Sequence, residues 1–293
     1  MLALMAAADG PARAERPLVD GMLARRWVIA AGDARALIEA GALVLDARAD
    51  ALQAAQPVPG AVPVSWQRFA EPEMPVKGRL LADDAELTRR LQEVGVRAAT
   101  PVVVLGDPLA GSGEDGRVVW TLRALGHDAA VAVDGGLPAL MAAGLPAIQA
   151  PAAAGGFVVR RRSGLAITRE ELKAALGRPD LVVLDTREVR EYRGETPYGE
   201  SRGGHVPGAR HLFYRDLQAE NGRLLPRAAL KARLAALGIG EDSEIVAYCT
   251  GGVRSGWVTT VLNDLGLRAR NFAGSMWDWS AGDPGEYPLV AEP

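Results

Sequence analysis

Leu43-Val44-Leu45-Asp46-Ala47-Arg48 and Val182-Val183-Leu184-Asp185-Thr186-Arg187 are one phrase written twice, 139 residues apart. Each is a short apolar run closed by an aspartate, a small residue and an arginine. Ahead of the first lie Trp27-Val28-Ile29 and Ala34 to Ala40, and ahead of the second lie Ala166-Ile167-Thr168 and Lys173 to Leu176. Behind them, Val58-Pro59-Gly60-Ala61 returns as Val206-Pro207-Gly208-Ala209, and Gly78-Arg79-Leu80-Leu81 as Gly222-Arg223-Leu224-Leu225. Leu87, Leu91 and Val94 return as Leu230, Leu234 and Leu237. The offset drifts between 139 and 148, as it does when loops gain or lose residues around a kept framework. The chain is a doubled unit.

Within each copy, short β-branched runs alternate with helical periods. Leu87, Leu91 and Val94, like Leu230, Leu234 and Leu237, occupy one face of a helix. Thr168-Arg169-Glu170-Glu171 reads as a capping box that opens another. Val102 to Leu105 and Ile245 to Tyr248 are unbroken apolar runs of strand length, the pattern of strands buried on both faces. This order predicts an α/β fold, two tandem domains each built on a mostly parallel sheet with helices on both faces. The expected units are 22–146 and 165–293. Residues 147–164, rich in Ala, Gly, Pro and Arg and without a period, read as the linker, with Arg160-Arg161-Arg162 as a solvated stretch.

Composition narrows the function classes. Of the 293 residues 48% are apolar, enough for two cores, and the formal charge is −3 with both signs interspersed. No basic face stands out, so nucleic acid is not an expected partner. A single cysteine excludes a disulfide framework and a thiolate metal cluster. His127, His205 and His211 show no ligand spacing, so neither a metal nor another cofactor is expected. Met1 to Ala8 is apolar but short and lacks a basic start, a weak signal at best. No apolar run reaches the roughly 18 residues that cross a bilayer. The expected setting is cytoplasmic, away from membranes.

Cys249 follows the apolar run Ile245 to Tyr248 and opens Cys249-Thr250-Gly251-Gly252-Val253-Arg254-Ser255-Gly256, after which Trp257 to Leu265 reads as helix. A cysteine between a strand end and a helix start meets converging loop N–H groups and the positive end of the helix. Both favour thiolate, the nucleophilic form. Gly251 and Gly252 let the backbone curl around the sulfur, and Arg254 closes the loop with a cation. Cys249 is therefore the expected nucleophile, with Thr250, Gly251, Gly252, Val253 and Arg254 as the substrate-binding loop. In the first copy Gly106 stands where the cysteine would be, so that copy keeps the frame and lacks the nucleophile.

Residues 22–293 resemble a tandem rhodanese-domain sulfurtransferase. The resemblance rests on Asp185-Thr186-Arg187, Glu191-Tyr192-Arg193-Gly194, Gly204-His205-Val206-Pro207-Gly208-Ala209, the Cys249 loop, and Phe272-Ala273-Gly274-Ser275-Met276-Trp277. It implies a Cys249 persulfide, an active site facing the domain interface, and transfer to cyanide or another thiophilic acceptor. A thioredoxin-like or other sulfur-accepting protein is a further expected partner, and a sulfur-carrier module is the rival reading from another class. Asp185, Arg187, His205 and Ser255 are expected to support the loop. Asp185 with Arg187 reads as a framework ion pair, His205 as fixing its turn, and Trp277 and Trp279 as packing under the loop. Gly111-Ser112-Gly113 reads as a surface loop that lengthens the inactive copy.

Cysteine phosphatases wrap phosphate with a longer loop, whereas only Thr250 to Val253 separate Cys249 from Arg254 here. That suits a single sulfur atom. Mercaptopyruvate-type relatives carry two carboxylate-clamping arginines. Glu191 stands at the first of these places, and Thr196 to Ser201 lacks the second, although Arg202 is near. Animal thiosulfate enzymes have a lysine where Gly251 stands. Arg254-Ser255-Gly256, with the Tyr-Arg-Gly-Glu and Gly-Gly-His motifs, resembles bacterial thiosulfate enzymes most. Thiosulfate is therefore expected over mercaptopyruvate as donor.

Overall fold

The computed structural model describes residues 23–291, so the reading of Met1 to Ala8, and residue 22 itself, lie outside it. In the first copy the strands are β1 (Val28–Ile29), β2 (Leu43–Asp46), β3 (Val62–Pro63), β4 (Val102–Leu105) and β5 (Ala130–Val133). Its helices are α1 (Ala31–Glu39), α2 (Asp50–Ala55), α3 (Asp84–Glu93), α4 (Glu114–Ala124) and α5 (Gly136–Ala142). In the second copy the helices are α6 (Arg169–Ala175), α7 (Val189–Arg193), α8 (Arg227–Ala236), α9 (Val253–Asp264) and α10 (Ser275–Ser280). Its strands are β6 (Leu181–Asp185), β7 (Arg210–His211), β8 (Glu244–Tyr248) and β9 (Arg268–Asn271).

The sheets run β1-β5-β4-β2-β3 and β7-β6-β8-β9, every pairing parallel. The order β5-β4-β2-β3 maps onto β9-β8-β6-β7, and the bridge of Ala166 to Asn271 takes the place of β1. The duplication read in the sequence is a duplication of topology.

Alternation along the strands explains the two-sided cores. Leu43, Leu45, Val102 and Val104 face Leu87 and Leu91 of α3 and Val118 and Leu122 of α4, while Val44, Val103 and Leu105 face α1 and α5. In the second copy Val182, Leu184 and Ile245 meet α8 and α9, and Val183, Val246 and Tyr248 meet Leu172 of α6 and Trp279 of α10. Each such side chain, fully buried, contributes about 1.5–3 kcal/mol. The Thr168 capping box forms, Thr168 accepting from the Glu171 backbone while Glu171 accepts from that of Thr168.

Two expectations change. Residues 147–164 hold no helix or strand, yet Phe157 and Val159 are buried in the first core, whereas Arg160 to Arg162 are exposed as expected, Arg161 and Arg162 in surface pairs with Asp84 and Asp128. The absence of periodicity there reflects irregular backbone, held by those two side chains and by bonds such as Phe157 N–H to the Val96 carbonyl and Arg160 N–H to the Leu125 carbonyl. The helix after Cys249 begins at Val253, four residues before the apolar pattern suggests, because Gly252 caps it with φ +80°.

Helices α4 and α9 join the halves. Gly116 lies against Trp257, and Thr260 Oγ1 donates to the Gly116 carbonyl at 2.9 Å. Both helices open from a left-handed glycine, Gly113 and Gly252. Equivalent helix starts thus meet across the interface, and each copy's loop faces the other copy.

Candidate active site

Strand β8 delivers Cys249 to the sheet's C-terminal edge, where it is 1% exposed. The Gly252 N–H donates to its Sγ at 3.1 Å, and Ser255 Oγ lies 3.5 Å away in the first turn of α9. A Cβ at Gly251 would lie 2.1 Å from the Trp277 ring, and one at Gly252 2.4 Å from the Ala273 carbonyl. Glycine is required at both. Behind the loop, Ser275 holds a positive φ of 53°, its Oγ accepting from Cys249 N–H at 3.1 Å and donating to Phe272 O at 2.7 Å. Those two bonds hold a conformation a serine otherwise avoids. Burial pushes the Cys249 thiol up, but the Arg254 charge, the Ser255 N–H and hydroxyl and the Gly251 N–H together bring it below its ordinary value.

Arg254 is not a free cation. Its Nη1 and Nη2 donate to Glu191 at 2.6 and 2.8 Å, and Nη2 also reaches Thr250 Oγ1 at 2.7 Å. Thr250 Oγ1 lies 2.9 Å from Glu191 and 3.3 Å from Glu200, so two buried carboxylates converge on one hydroxyl. Burial would raise the Glu191 carboxyl, but the hydrogen bonds and charge of Arg254 outweigh it and hold the carboxyl below its ordinary range.

Cys249, Thr250, Gly251, Val253 and Arg254 line one cavity of about 390 Å³. Its walls include Trp66, Ser112 and Glu114 from the first copy and Tyr198, Tyr214 and Arg215 from the second. The Gly111-Ser112-Gly113 loop is therefore a wall of this cavity and more than a surface extension, because the α4–α9 packing carries it across. Trp277 likewise packs on Gly251 and also faces the cavity.

A rhodanese-like domain model matches residues 168–282. The thiosulfate sulfurtransferase of Azotobacter vinelandii is 33% identical over 256 residues, covering 86% of this chain and 93% of that protein. The chain belongs to the rhodanese family of sulfurtransferases. A thiosulfate sulfurtransferase of Pseudomonas aeruginosa is 34% identical, over 81% of this chain and 87% of that protein. A probable 3-mercaptopyruvate sulfurtransferase of the same organism is 36% identical, over 68% and 71%. Among solved structures, the anaerobic ergothioneine biosynthesis enzyme of Chlorobium limicola, in complex with trimethyl histidine, superposes with TM-score 0.76. At 20% identity over 92% of this chain and 71% of that one, it shows the shared fold.

The first rhodanese-like half is closed as well as lacking a cysteine. Asp115 takes the helix position of Arg254, and a Cβ at Gly106 would lie 2.4 Å from its Cγ. The carboxyl thus fills the space of the missing side chain. Burial, aided by the Glu114 and Asp107 charges, pushes Asp115 up to about 7 against hydrogen bonds from the backbone N–H groups of Gly116 and Asp115. A carboxyl raised on folding leaves stability intact below the ordinary carboxylate range and lowers it as pH rises toward about 7. Asp115→Asn is expected to gain about 1–3 kcal/mol over the native chain at pH 8 and little at pH 4.5. Melting curves of both proteins at the two pH values check this, and an equal difference at each would refute it.

Of the residues expected to support the loop, Ser255 lies beside Sγ, whereas Asp185, Arg187 and His205 stand apart from the cavity. Arg187 Nη2 pairs with Asp185 at 2.6 Å, fully buried, as Arg48 pairs with Asp46 at 2.7 Å in the half without cysteine. Tyr248, next to Cys249, donates to Asp185 at 2.8 Å and accepts from Val206 N–H at 3.1 Å. His205 stacks on Tyr192, with Nδ1 3.0 Å from the Tyr192 carbonyl. Arg202 donates to the carbonyls of Trp279, Ser280, Gly282 and Tyr287 and so serves the C-terminal segment. Sequence reasoning missed Glu191 as the partner of Arg254, Glu200, Asn271, Ser275 and every wall from the first half. Glu191 and Ser275 sit inside quoted motifs, a signal that marked the segment and left the contact unread. Among the described residues no helix is long and apolar enough to cross a membrane, and no group of acidic, histidine or cysteine side chains could hold a metal ion.

Proposed function

We propose that this rhodanese moves the sulfane sulfur of thiosulfate to cyanide or another thiophilic acceptor through a persulfide on Cys249. The observation that carries it is a thiol held below its ordinary pKa, at a helix start and under a loop amide, opening on a 390 Å³ cavity. The Cys249 thiolate attacks the outer sulfur of thiosulfate. A Cys249 S–S bond forms, the S–SO₃ bond breaks, and sulfite leaves with the electron pair. The acceptor then attacks the outer sulfur and Cys249 departs as thiolate; with cyanide the product is thiocyanate. No proton moves in either step, which fits a cradle of N–H donors without a general base at the sulfur.

The same proposal divides the chain into an inactive unit, 22–146, a connection, 147–164, and a catalytic unit, 165–293. A cytoplasmic, reducing setting suits a lone functional thiol. Donor identity rests on the named relatives, most of which are thiosulfate enzymes. For a mercaptopyruvate carboxylate the cavity offers Arg215 and Arg254, and the fork of Arg254 is already held by Glu191. A protein acceptor is the second reading, supported by 28% identity, over 76% of this chain, to a sulfur carrier protein of Thermus thermophilus.

Steady-state thiocyanate formation with each donor tests the assignment. We expect kcat/KM at least about tenfold higher with thiosulfate than with mercaptopyruvate, roughly 1.4 kcal/mol. The reverse order would overturn the donor.

A further inference from the structure

We propose that Arg117, in the half that lacks a cysteine, is a positioning residue for Cys249, clamping the thiol-bearing loop from behind and placing a buried positive charge there. This rests on the reading of Cys249 as the nucleophile.

Arg117 lies on α4, across from Gly256 on α9, where a Cβ would come within 3.0 Å of its Cδ. Glycine at 256 leaves the channel through which the side chain passes. Arg117 is fully buried. Its Nη1 donates to the Gly252 carbonyl at 2.7 Å and to the Gly251 carbonyl at 3.3 Å, and Nη2 donates to the Gly78 carbonyl at 2.5 Å. The peptide unit whose carbonyl is Gly251 O also carries the Gly252 N–H that donates to Sγ at 3.1 Å. A cation at one end of a peptide dipole strengthens donation at the other, so the guanidinium acts on the sulfur through one amide. Asn271 Nδ2 holds the same Gly252 carbonyl at 3.1 Å while its Oδ1 accepts from Ser255 Oγ at 2.7 Å, so the clamp extends to the second group beside Sγ.

The charge is what a packing role leaves unexplained. Among the described residues Arg117 meets carbonyls and the faces of Trp66 and Trp120, no carboxylate, and its Nε has no partner. Arg254, Arg187 and Arg48, also buried, are each paired with an acid. Arg123, buried and bound to carbonyls, forms no ion pair among the described residues but has the Asp128 and Asp264 charges near it, whereas the charge near Arg117 is that of Cys249. An uncompensated guanidinium in a core is costly unless something negative answers it. The thiolate, and then the persulfide, is the negative group on the far side of the clamped peptide. Consistently, burial lowers Arg117 to about 10 while the Cys249 charge raises it. The half without a nucleophile thus supplies part of the nucleophile's environment, and the two halves form one catalytic unit.

The test reads the thiol directly, with no donor or acceptor, so that failure of the sulfur-transfer reading leaves it untouched. The pH dependence of Cys249 alkylation by iodoacetamide is measured on the full chain. In Arg117→Met we expect the midpoint to rise by about one unit, with alkylation about tenfold slower at pH values below both midpoints. The other groups near the loop remain: Arg254 with Glu191, and Glu200 behind Thr250. Arg215, Glu114, Glu188 and Tyr214 also remain on the cavity walls, with Tyr198, and Lys77 stays over Trp277. Thr260→Val, which removes an α4–α9 bond away from the loop, is expected to lower the melting temperature without moving the midpoint. A folded Arg117→Met with the native midpoint overturns the proposal. If that variant does not fold, Arg117→Lys decides, since it keeps the charge and loses part of the clamp. A midpoint near the native one supports the proposal, and a full-unit rise in the lysine variant overturns the role of the charge.

Discussion

Cys249→Ser is expected to leave no measurable sulfur transfer, a loss of at least about 10⁴-fold, in a chain that still folds. The serine hydroxyl replaces sulfur at a 1% exposed position where the Gly252 N–H supplies a donor, so no buried polar atom is stranded. The expected cost in stability is below about 1.5 kcal/mol. What disappears is the chemistry: a neutral hydroxyl neither ionises in this range nor holds a second sulfur. Intact-mass spectrometry after thiosulfate treatment should show the native chain one sulfur atom heavier and the variant unchanged. A native chain that turns over while never carrying extra sulfur would exclude the persulfide, and a variant that keeps turning over would move the nucleophile elsewhere.

Arg254→Ala should damage both half-reactions and the fold together. Glu191 is 0% exposed and receives both terminal nitrogens of Arg254, so deletion strands a carboxylate in the core. Breaking a buried pair from one side costs about 3–5 kcal/mol. Arg254 is also the largest influence lowering the Cys249 thiol against burial, so the thiolate fraction falls as well. We expect thiosulfate loading and cyanide discharge, measured separately by rapid mixing, each to slow at least about tenfold. Arg254→Lys should recover only part, because one ammonium cannot hold Glu191 and Thr250 as the fork does. Slower loading alone, with discharge and melting temperature intact, would mean that Arg254 serves the donor and that the pair with Glu191 is incidental. The pH dependence has a definite sign. Glu191 is held below its ordinary range, so its contribution is present above that range and lost as pH falls through the folded-state value. The gap in stability between native chain and variant should therefore narrow in acid.

The fold was legible because its signals are local or repeated. Strand-length apolar runs, leucines at helical spacing and the Thr168 cap depend on near neighbours, and duplication presented each of them twice. The Cys249 loop was legible for the same reason: the cysteine and its glycines are contiguous between a strand and a helix, and short-range geometry sets the Gly252 N–H on the sulfur. The absent cysteine at Gly106 needed only the alignment of one half with the other, whereas its filling by Asp115 needed the fold.

The doubled parallel α/β frame and the glycine loop around Cys249, the proposed nucleophile, follow from backbone preference and spacing, and so were readable along the chain. Tertiary structure alone decided what that loop's side chains do. Arg254 meets Glu191 across 63 residues, and Thr250 meets Glu200 across 50. The cavity takes Trp66, Ser112 and Glu114 from the other half, and Arg117 reaches the Gly252 carbonyl across 135 residues. No local pattern encodes such pairs, because the free energy that selects them, burial of a charge beside its complement, exists only once the chain has closed.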